Sequence, residues 1–166
     1  MSKILGIIGG GQLGMMIAEA AKKMPDEISE IIVLDPTENC PAAQAGATQI
    51  IADFKDKDAI IEIANKSDII TYEIESGDSD VLKSVQDKAE INPSPETLKI
   101  IQDKFLQKSF LRENKIPVPE FAEIKNIGDV KEGIKKFGIP TMLKARRDAY
   151  DGRGNFKINS EKEIQT

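Results

Sequence analysis

KILGIIGGGQLGMMIAEAAKKMP, Lys3 to Pro25, decides the fold of this 166-residue chain. Lys3 to Gly9 reads as a buried strand, because a short apolar run that ends in glycine suits the interior of a parallel sheet. Gly9, Gly10, Gly11 and Gly14 form a turn, and Leu13, Met16, Ile17, Ala20, Ala21 and Met24 follow at three-and-four spacing. That spacing predicts a helix with one apolar face, closed by Pro25. Outward from this unit the alternation continues. Glu30–Asp35 (EIIVLD) is a second buried strand, and a loop of small residues leads to a weak third near Thr48–Ala52. A helix around Asp56–Asn65 buries Ile60, Ile63 and Ala64, and Asp68–Glu75 (DIITYEIE) is the fourth strand. A helix carrying Val81, Leu82 and Val85, then a short strand at Glu90–Asn92, completes the series. Strands alternating with helices predict an α/β fold, a doubly wound parallel sheet with helices on both faces.

Pro93 and Pro95 mark a boundary, dividing a first domain at 1–94 from a second at 95–166. Beyond them a helical stretch runs from about Thr97 to Glu113, with Phe105, Leu106, Ser109, Phe110 and the later Ile116 on its apolar side. IPVPEF is held extended by Pro117 and Pro119, since proline disfavours helix in the residue before it. A strand, helix and strand are expected next. Gly138 caps a helix at Asp129–Phe137, and Ile139–Lys144 is a strand. FKINS reads as one more strand and EKEIQ as the start of a helix, so the second domain looks incomplete at Thr166.

The net charge is −5 and the lysines are scattered among acids, which removes a nucleic-acid footprint. The chain has no histidine, so imidazole chemistry, histidine triads and histidine-ligated metals are excluded from it. Its single cysteine, Cys40, forms no internal disulfide and reads as a buried structural thiol in a reducing compartment. No stretch is apolar enough to span a membrane, and ILGII is too short for a secretion signal. A soluble, cytoplasmic protein is expected.

Three constellations carry chemistry. Gly9 to Gly14 fits G-x-G-x-x-G between a strand and a helix, with Asp35 about twenty residues on, where a ribose-binding acid stands in dinucleotide sites. Nicotinamide binding and plain turn chemistry both account for it. Tyr72, Glu73, Ile74 and Glu75 end the fourth strand, and alternation puts the two glutamates on one face. They either hold ribose hydroxyls or face solvent. Lys144, Arg146 and Arg147 end a strand before the loop Tyr150-Asp151-Gly152-Arg153-Gly154. Lysine on a strand edge beside a glycine loop suits polyphosphate, and arginine offers a bidentate fork. The alternative is a snorkelling edge lysine with solvated arginines. Lys104, taken alone, is an ordinary helix lysine.

The motif order GGGQLGMM, VLDPTENCPA, TYEIES, INPSPETL, DKFLQKSFL, IPVPEF and TMLKARRDAYDGRGN resembles the N-terminal part of the carboxyaminoimidazole ribonucleotide synthases. These are the ATPase subunits of phosphoribosylaminoimidazole carboxylase, ATP-grasp ligases of purine biosynthesis. The resemblance spans the chain, and the lysine with YDGRG is its most specific part. It implies a Rossmann-like pre-ATP-grasp sheet followed by an incomplete ATP-grasp subdomain, and a reaction of ATP, bicarbonate and aminoimidazole ribonucleotide through carboxyphosphate. It further implies that Lys104 and Lys144 contact ATP phosphates beneath a loop at Gly152 and Gly154. Tyr150, Asp151 and Arg153 are implied as catalytic residues near the ribonucleotide, with Asp151 a candidate proton acceptor. Gly11, Gln12, Leu13, Glu73 and Glu75 would line the ribonucleotide pocket.

Magnesium is implied as well, with its ligands, the adenine hinge and most bicarbonate contacts in a C-terminal half that this chain lacks, and so no metal ligand is expected within it. A homodimer is also suggested. Two positions depart from the pattern: Met15 stands where arginine is usual, and Asp148-Ala149 where two glycines are common. The first could weaken a substrate-phosphate contact and the second could stiffen the loop. Half a clamp is expected to bind ATP weakly and not to turn over. The rival readings are a formate-dependent glycinamide ribonucleotide transformylase, a nicotinamide dehydrogenase and a non-catalytic binding module.

Overall fold

The computed structural model describes residues 2–149 and 153–165, with the backbone alone described at 165. The chain divides into two compact units, residues 1–99 and 100–166.

The first unit is built on a five-stranded sheet. Its strands are β1 (Lys3–Ile8), β2 (Ile28–Leu34), β3 (Thr48–Ile50), β4 (Ile69–Tyr72) and β5 (Glu90–Ile91). They lie in the order β3-β2-β1-β4-β5, and every pairing is parallel. The helices between them are α1 (Gln12–Ala21), α2 (Pro41–Gln44), α3 (Lys57–Lys66) and α4 (Ser79–Ser84). Alternation along β1 serves both faces. Leu5 and Ile7 cluster with Ala18 and Ala21 of α1 and Ala42 of α2, while a Cβ on Gly6 would meet Ile63 of α3. The doubly wound expectation is borne out.

The inward face of α1 differs from the predicted one. Its buried residues are Gly14, Ala18 and Ala21, while Leu13, Met16 and Met24 are about half exposed. Small side chains let the helix lie close against the sheet and the turn. A Cβ on Gly14 would run into the carbonyl oxygen of Gly9, and one on Gly10 into the Cys40 sulfur, so the turn has no room for side chains. The helix also ends before Pro25. Lys23 and Met24 donate to the carbonyls of Ala20 and Ala21, tightening the chain into turns.

The predicted helix from Thr97 to Glu113 is two helices, α5 (Pro95–Ile101) and α6 (Lys104–Glu113). Asp103 breaks it. Its backbone is extended, and its carboxylate accepts from the N–H groups of Phe105 at 3.0 Å and Leu106 at 3.1 Å. An N-cap of this kind starts a new helix. IPVPEF is not helical, as expected, and it pairs with no strand among the described residues. After it come α7 (Ile127–Phe137), β6 (Thr141–Lys144), β7 (Asn155–Ile158) and a 3-10 turn at Glu161–Gln165. Strands β6 and β7 pair antiparallel, Thr141 opposite Ile158 and Lys144 opposite Asn155. Gly138 ends α7 with φ of 80°, a conformation few other residues adopt. Among the described residues no helix is long and apolar enough to cross a membrane.

Candidate functional site

In the first unit the register gathers three strand ends. Ile8 pairs with Leu34 on one side and Tyr72 on the other, so Gly9, Asp35 and Glu73 emerge together at the carboxyl ends of three adjacent strands. This edge is where parallel α/β sheets bind ligands. The fates of the two acids differ. Asp35 is buried, its Oδ2 accepts from the Gly10 N–H at 2.7 Å, and its Oδ1 accepts from the Thr37 N–H at 2.8 Å. Both oxygens brace backbone, so the position that suggested a ribose acid is structural.

Glu73 instead hangs over the glycine turn. Its Oε2 lies 2.8 Å from where a Gly9 Cβ would stand and 4.0 Å from that of Gly11. Burial, then the charges of Glu75 and Asp35, push its carboxyl above the usual carboxylate range. Gln12 and Leu13 follow the turn with exposed side chains, and among the described residues no side-chain cap hydrogen bond is made at Gly11, the N-cap of α1. Helix N-termini of this kind favour anions. Gly11, Gln12, Leu13 and Glu73 are thus brought to one place. Glu75 lies beyond the strand end, exposed.

The second unit holds a cleft of about 820 Å³ between α6, the segment 119–124, α7 and the β6–β7 pair. Lys104, Lys108 and Lys144 all line it. Lys104 is the first residue of α6, and its Nζ donates to the Ala149 carbonyl at 2.6 Å. Lys144 ends β6 with an exposed side chain. Lys108, one helical turn beyond Lys104, was not singled out in the sequence, although its i+4 spacing is the signal that could have found it. Burial, then the positive charge of Lys144, pulls its ammonium below the usual lysine range. Phe105 and Phe121 meet edge to face at 5.7 Å between centroids, with Lys108 and Arg112 over Phe121 at 5.6 and 4.5 Å.

The arginine fork expected for phosphate is already engaged. Arg146 Nε reaches the Asp103 carboxylate at 2.6 Å and its Nη1 reaches Glu123. Arg147 Nη2 reaches Asp103 at 3.1 Å. Asp103 was also missed in the sequence, where the helical periodicity runs through it. Burial alone would raise its carboxyl. The hydrogen bonds from Arg146 and from the Leu106 and Phe105 N–H groups outweigh that and hold it below the ordinary range.

Gly154 adopts φ of 69° and its carbonyl accepts from the Ala145 N–H at 2.7 Å. A Cβ there would meet Ala145 and Ala149 at 2.8 and 2.9 Å, so this end of the loop folds tightly onto β6. Arg153 lies in the same turn. Tyr150, Asp151 and Gly152 lie outside the described residues. Among the described residues no group of three or more acidic, cysteine or histidine side chains could hold a metal ion.

Comparison with known proteins places both units. A family model described as the ribonucleotide synthetase preATP-grasp domain matches residues 1–102, and the ATP-grasp domain model matches residues 109–166. Phosphoribosylaminoimidazole carboxylase of Schizosaccharomyces pombe is 42% identical over 99% of this chain and 29% of its own length. The crystal structure of N5-carboxyaminoimidazole ribonucleotide synthetase from Thermotoga maritima superposes with a TM-score of 0.86 at 44% identity, covering 98% of this chain and 42% of that one. The Aspergillus clavatus synthase, solved with ADP and 5-aminoimidazole ribonucleotide, gives 0.87 at 34% identity, covering 99% of this chain and 42% of that one. The chain therefore spans less than half the length of these relatives. With its parallel sheet, its glycine turn under Glu73 and its matching family model, the chain belongs to the ribonucleotide synthetase preATP-grasp domain family.

Proposed function

We propose that this chain carries the ribonucleotide-binding part and one phosphate-gripping part of an ATP-dependent ligase. The ligase carboxylates aminoimidazole ribonucleotide with bicarbonate in purine biosynthesis. The observation that carries the reading is the convergence of Lys104, Lys108 and Lys144 on one cleft, in a region similar to proteins solved with ADP. Three cations with few competing acids suit a polyphosphate.

Bicarbonate is a poor electrophile, and phosphorylation remedies that. A bicarbonate oxygen attacks the γ-phosphorus, the bond to ADP breaks, and carboxyphosphate forms. The exocyclic amine of the ribonucleotide then attacks the carboxyl carbon, directly or after its release as carbon dioxide. Phosphate departs and the amine proton passes to a base, for which Asp151 is our candidate. Positioning and charge neutralisation supply most of the catalysis in such transfers.

Lys104 and Lys144 hold the phosphates, and the loop at Gly152 and Gly154 closes on them. Gly11, Gln12, Leu13, Glu73 and Glu75 bind the ribonucleotide, and Tyr150 and Arg153 orient the reacting groups. Magnesium is expected with ATP; among the described residues no group of three or more acidic, cysteine or histidine side chains could hold it. A cytoplasmic homodimer completes the proposal.

ADP release tests it. In an active protein carrying these residues, release should require aminoimidazole ribonucleotide and bicarbonate. Release with glycinamide ribonucleotide and formate instead would select the transformylase. A rise in melting temperature with NAD or NADP, and none with the ribonucleotide, would return the dinucleotide reading. The 166-residue chain assayed alone should bind ATP weakly without turnover. Steady ribonucleotide-dependent ADP release from it would refute that expectation.

A further inference from the structure

The geometry points to Asp103 as a positioning residue that, through Arg146 and Arg147, holds Lys104 and Lys144 at one phosphate-gripping cleft. The inference rests on the phosphate reading proposed above.

Asp103 has no exposed surface, and a buried carboxylate persists only when it is paired and hydrogen-bonded. Its partners come from two places in the chain. From α6 it accepts the Phe105 and Leu106 N–H groups at 3.0 and 3.1 Å, which sets where the helix starts and makes Lys104 its first residue. From beyond β6 it accepts Arg146 Nε at 2.7 and 2.6 Å and Arg147 Nε at 3.1 Å. These arginines follow Lys144 by two and three residues. A second pin runs the other way, from the Lys104 N–H to the Arg146 carbonyl at 3.0 Å. The start of α6 and the end of β6 are thus crossed and tied at residues more than forty apart in sequence.

A cap alone needs no arginine. The two arginines are about half exposed, where ion pairs add little stability. Their geometry is more specific than their strength: planar guanidinium groups fix direction as well as distance. The network ties Arg146, Arg147 and Lys125 to the carboxylates of Asp103 and Glu123. The three lysines line the cleft outside these arginine pairs, Lys104 donating to the Ala149 carbonyl, with Glu120 and Glu123 as the acids on the same lining.

The substitution Asp103→Asn separates the two roles. Asparagine remains a good N-cap, so α6 keeps its start while the charged tether to both arginines is lost. The test is a titration of the chain with ADP and with AMP, followed by amide chemical shifts, in parallel with circular dichroism.

In the unaltered chain ADP should bind more tightly than AMP, and Lys144→Ala should remove that preference. If ADP has no preference, or Lys144→Ala leaves it intact, the phosphate reading itself fails. With that reading upheld, Asp103→Asn should reduce the ADP preference about tenfold, the scale of one lost charge-assisted hydrogen bond, with helix content retained. Simple loss of stability lowers binding of both nucleotides alike and leaves their ratio unmoved. An unchanged ratio in Asp103→Asn overturns the proposal. If that variant does not fold, Arg147→Gln is read instead, since Arg147 does not line the cleft. A reduced ratio there supports the tether, and an unchanged one overturns it.

Discussion

In the first unit Ile7, Ile8, Leu34, Ile60, Ile63, Ile70, Leu82 and Leu98 are sealed from solvent, whereas in the second Ile134 and Ile158 are the only buried apolar side chains among the described residues. Helix α6 buries none of its residues, and Phe110, Met142 and Phe156 are 45, 47 and 51% exposed. What the second unit has in place of a core is the Asp103 network with its two arginines. An apolar core is strong but indifferent to direction, and it supports a rigid scaffold under the glycine turn. Charged hydrogen bonds are weaker in net terms but directional. They suit the aiming of lysines proposed for this unit.

The largest test of this contrast deletes apolar volume in each unit. Ile60→Ala should cost about 2–5 kcal/mol of first-unit stability, as for other fully buried isoleucines. Phe156→Ala, half exposed, should stay within about 1 kcal/mol. Denaturant unfolding followed by hydrogen exchange reads both, and equal costs would erase the distinction. Next in size, Lys144→Ala in an active protein should slow turnover at least ~10²-fold, or about 2.7 kcal/mol in the transition state. Unchanged turnover would return Lys144 to the role of an exposed edge lysine.

Acid should then weaken the second unit. The folded pKa of Asp103 lies below its unfolded value, so its contribution is complete above about pH 3.9 and is lost as pH falls through the folded value. Exchange protection at Phe105 and Leu106 should drop in that window by on the order of 1–2 kcal/mol. Asp103→Asn should remove the pH dependence, and protection that survives in the unaltered chain at low pH would break the assignment.

The smallest effect has the opposite sign. Glu73 holds its proton more tightly when folded. Its contribution is therefore present below about pH 4.3 and lost as pH rises through the folded value. Glu73→Gln should raise first-unit stability at pH 7 by a few tenths of a kcal/mol, about the scale of other partly exposed sites. Weaker ribonucleotide binding should accompany it. A fall in melting temperature would show instead that the carboxylate braces the turn.

Much of the first unit was legible in the chain because its signals are local. The apolar runs at Lys3–Gly9 and Glu30–Asp35, the glycines between strand and helix, and the helix around Ile60 and Ile63 are each carried by neighbouring residues. The break at Asp103 was not legible, since Leu98, Ile101, Phe105 and Leu106 continue a helical spacing across it. The inward face of α1 was misjudged for a related reason. Size and polarity favoured Leu13 and Met16, but close approach favoured Gly14 and Ala18.

The site divides along the same line. A glycine turn after a strand, a lysine at a strand end and a glycine loop can be named from adjacent residues, because backbone geometry and charge there depend on neighbours in the chain. Arg146 and Arg147 looked like ligands for phosphate until folding brought a buried carboxylate from 43 residues away. Asp35 looked like a ribose acid until the Gly10 and Thr37 N–H groups took both its oxygens. Glu73 stood over the turn only once β1 and β4 paired in register. Residue type sets what a side chain is able to bind. Which partner reaches it first is a matter of packing between segments far apart in the chain, and no local pattern records that.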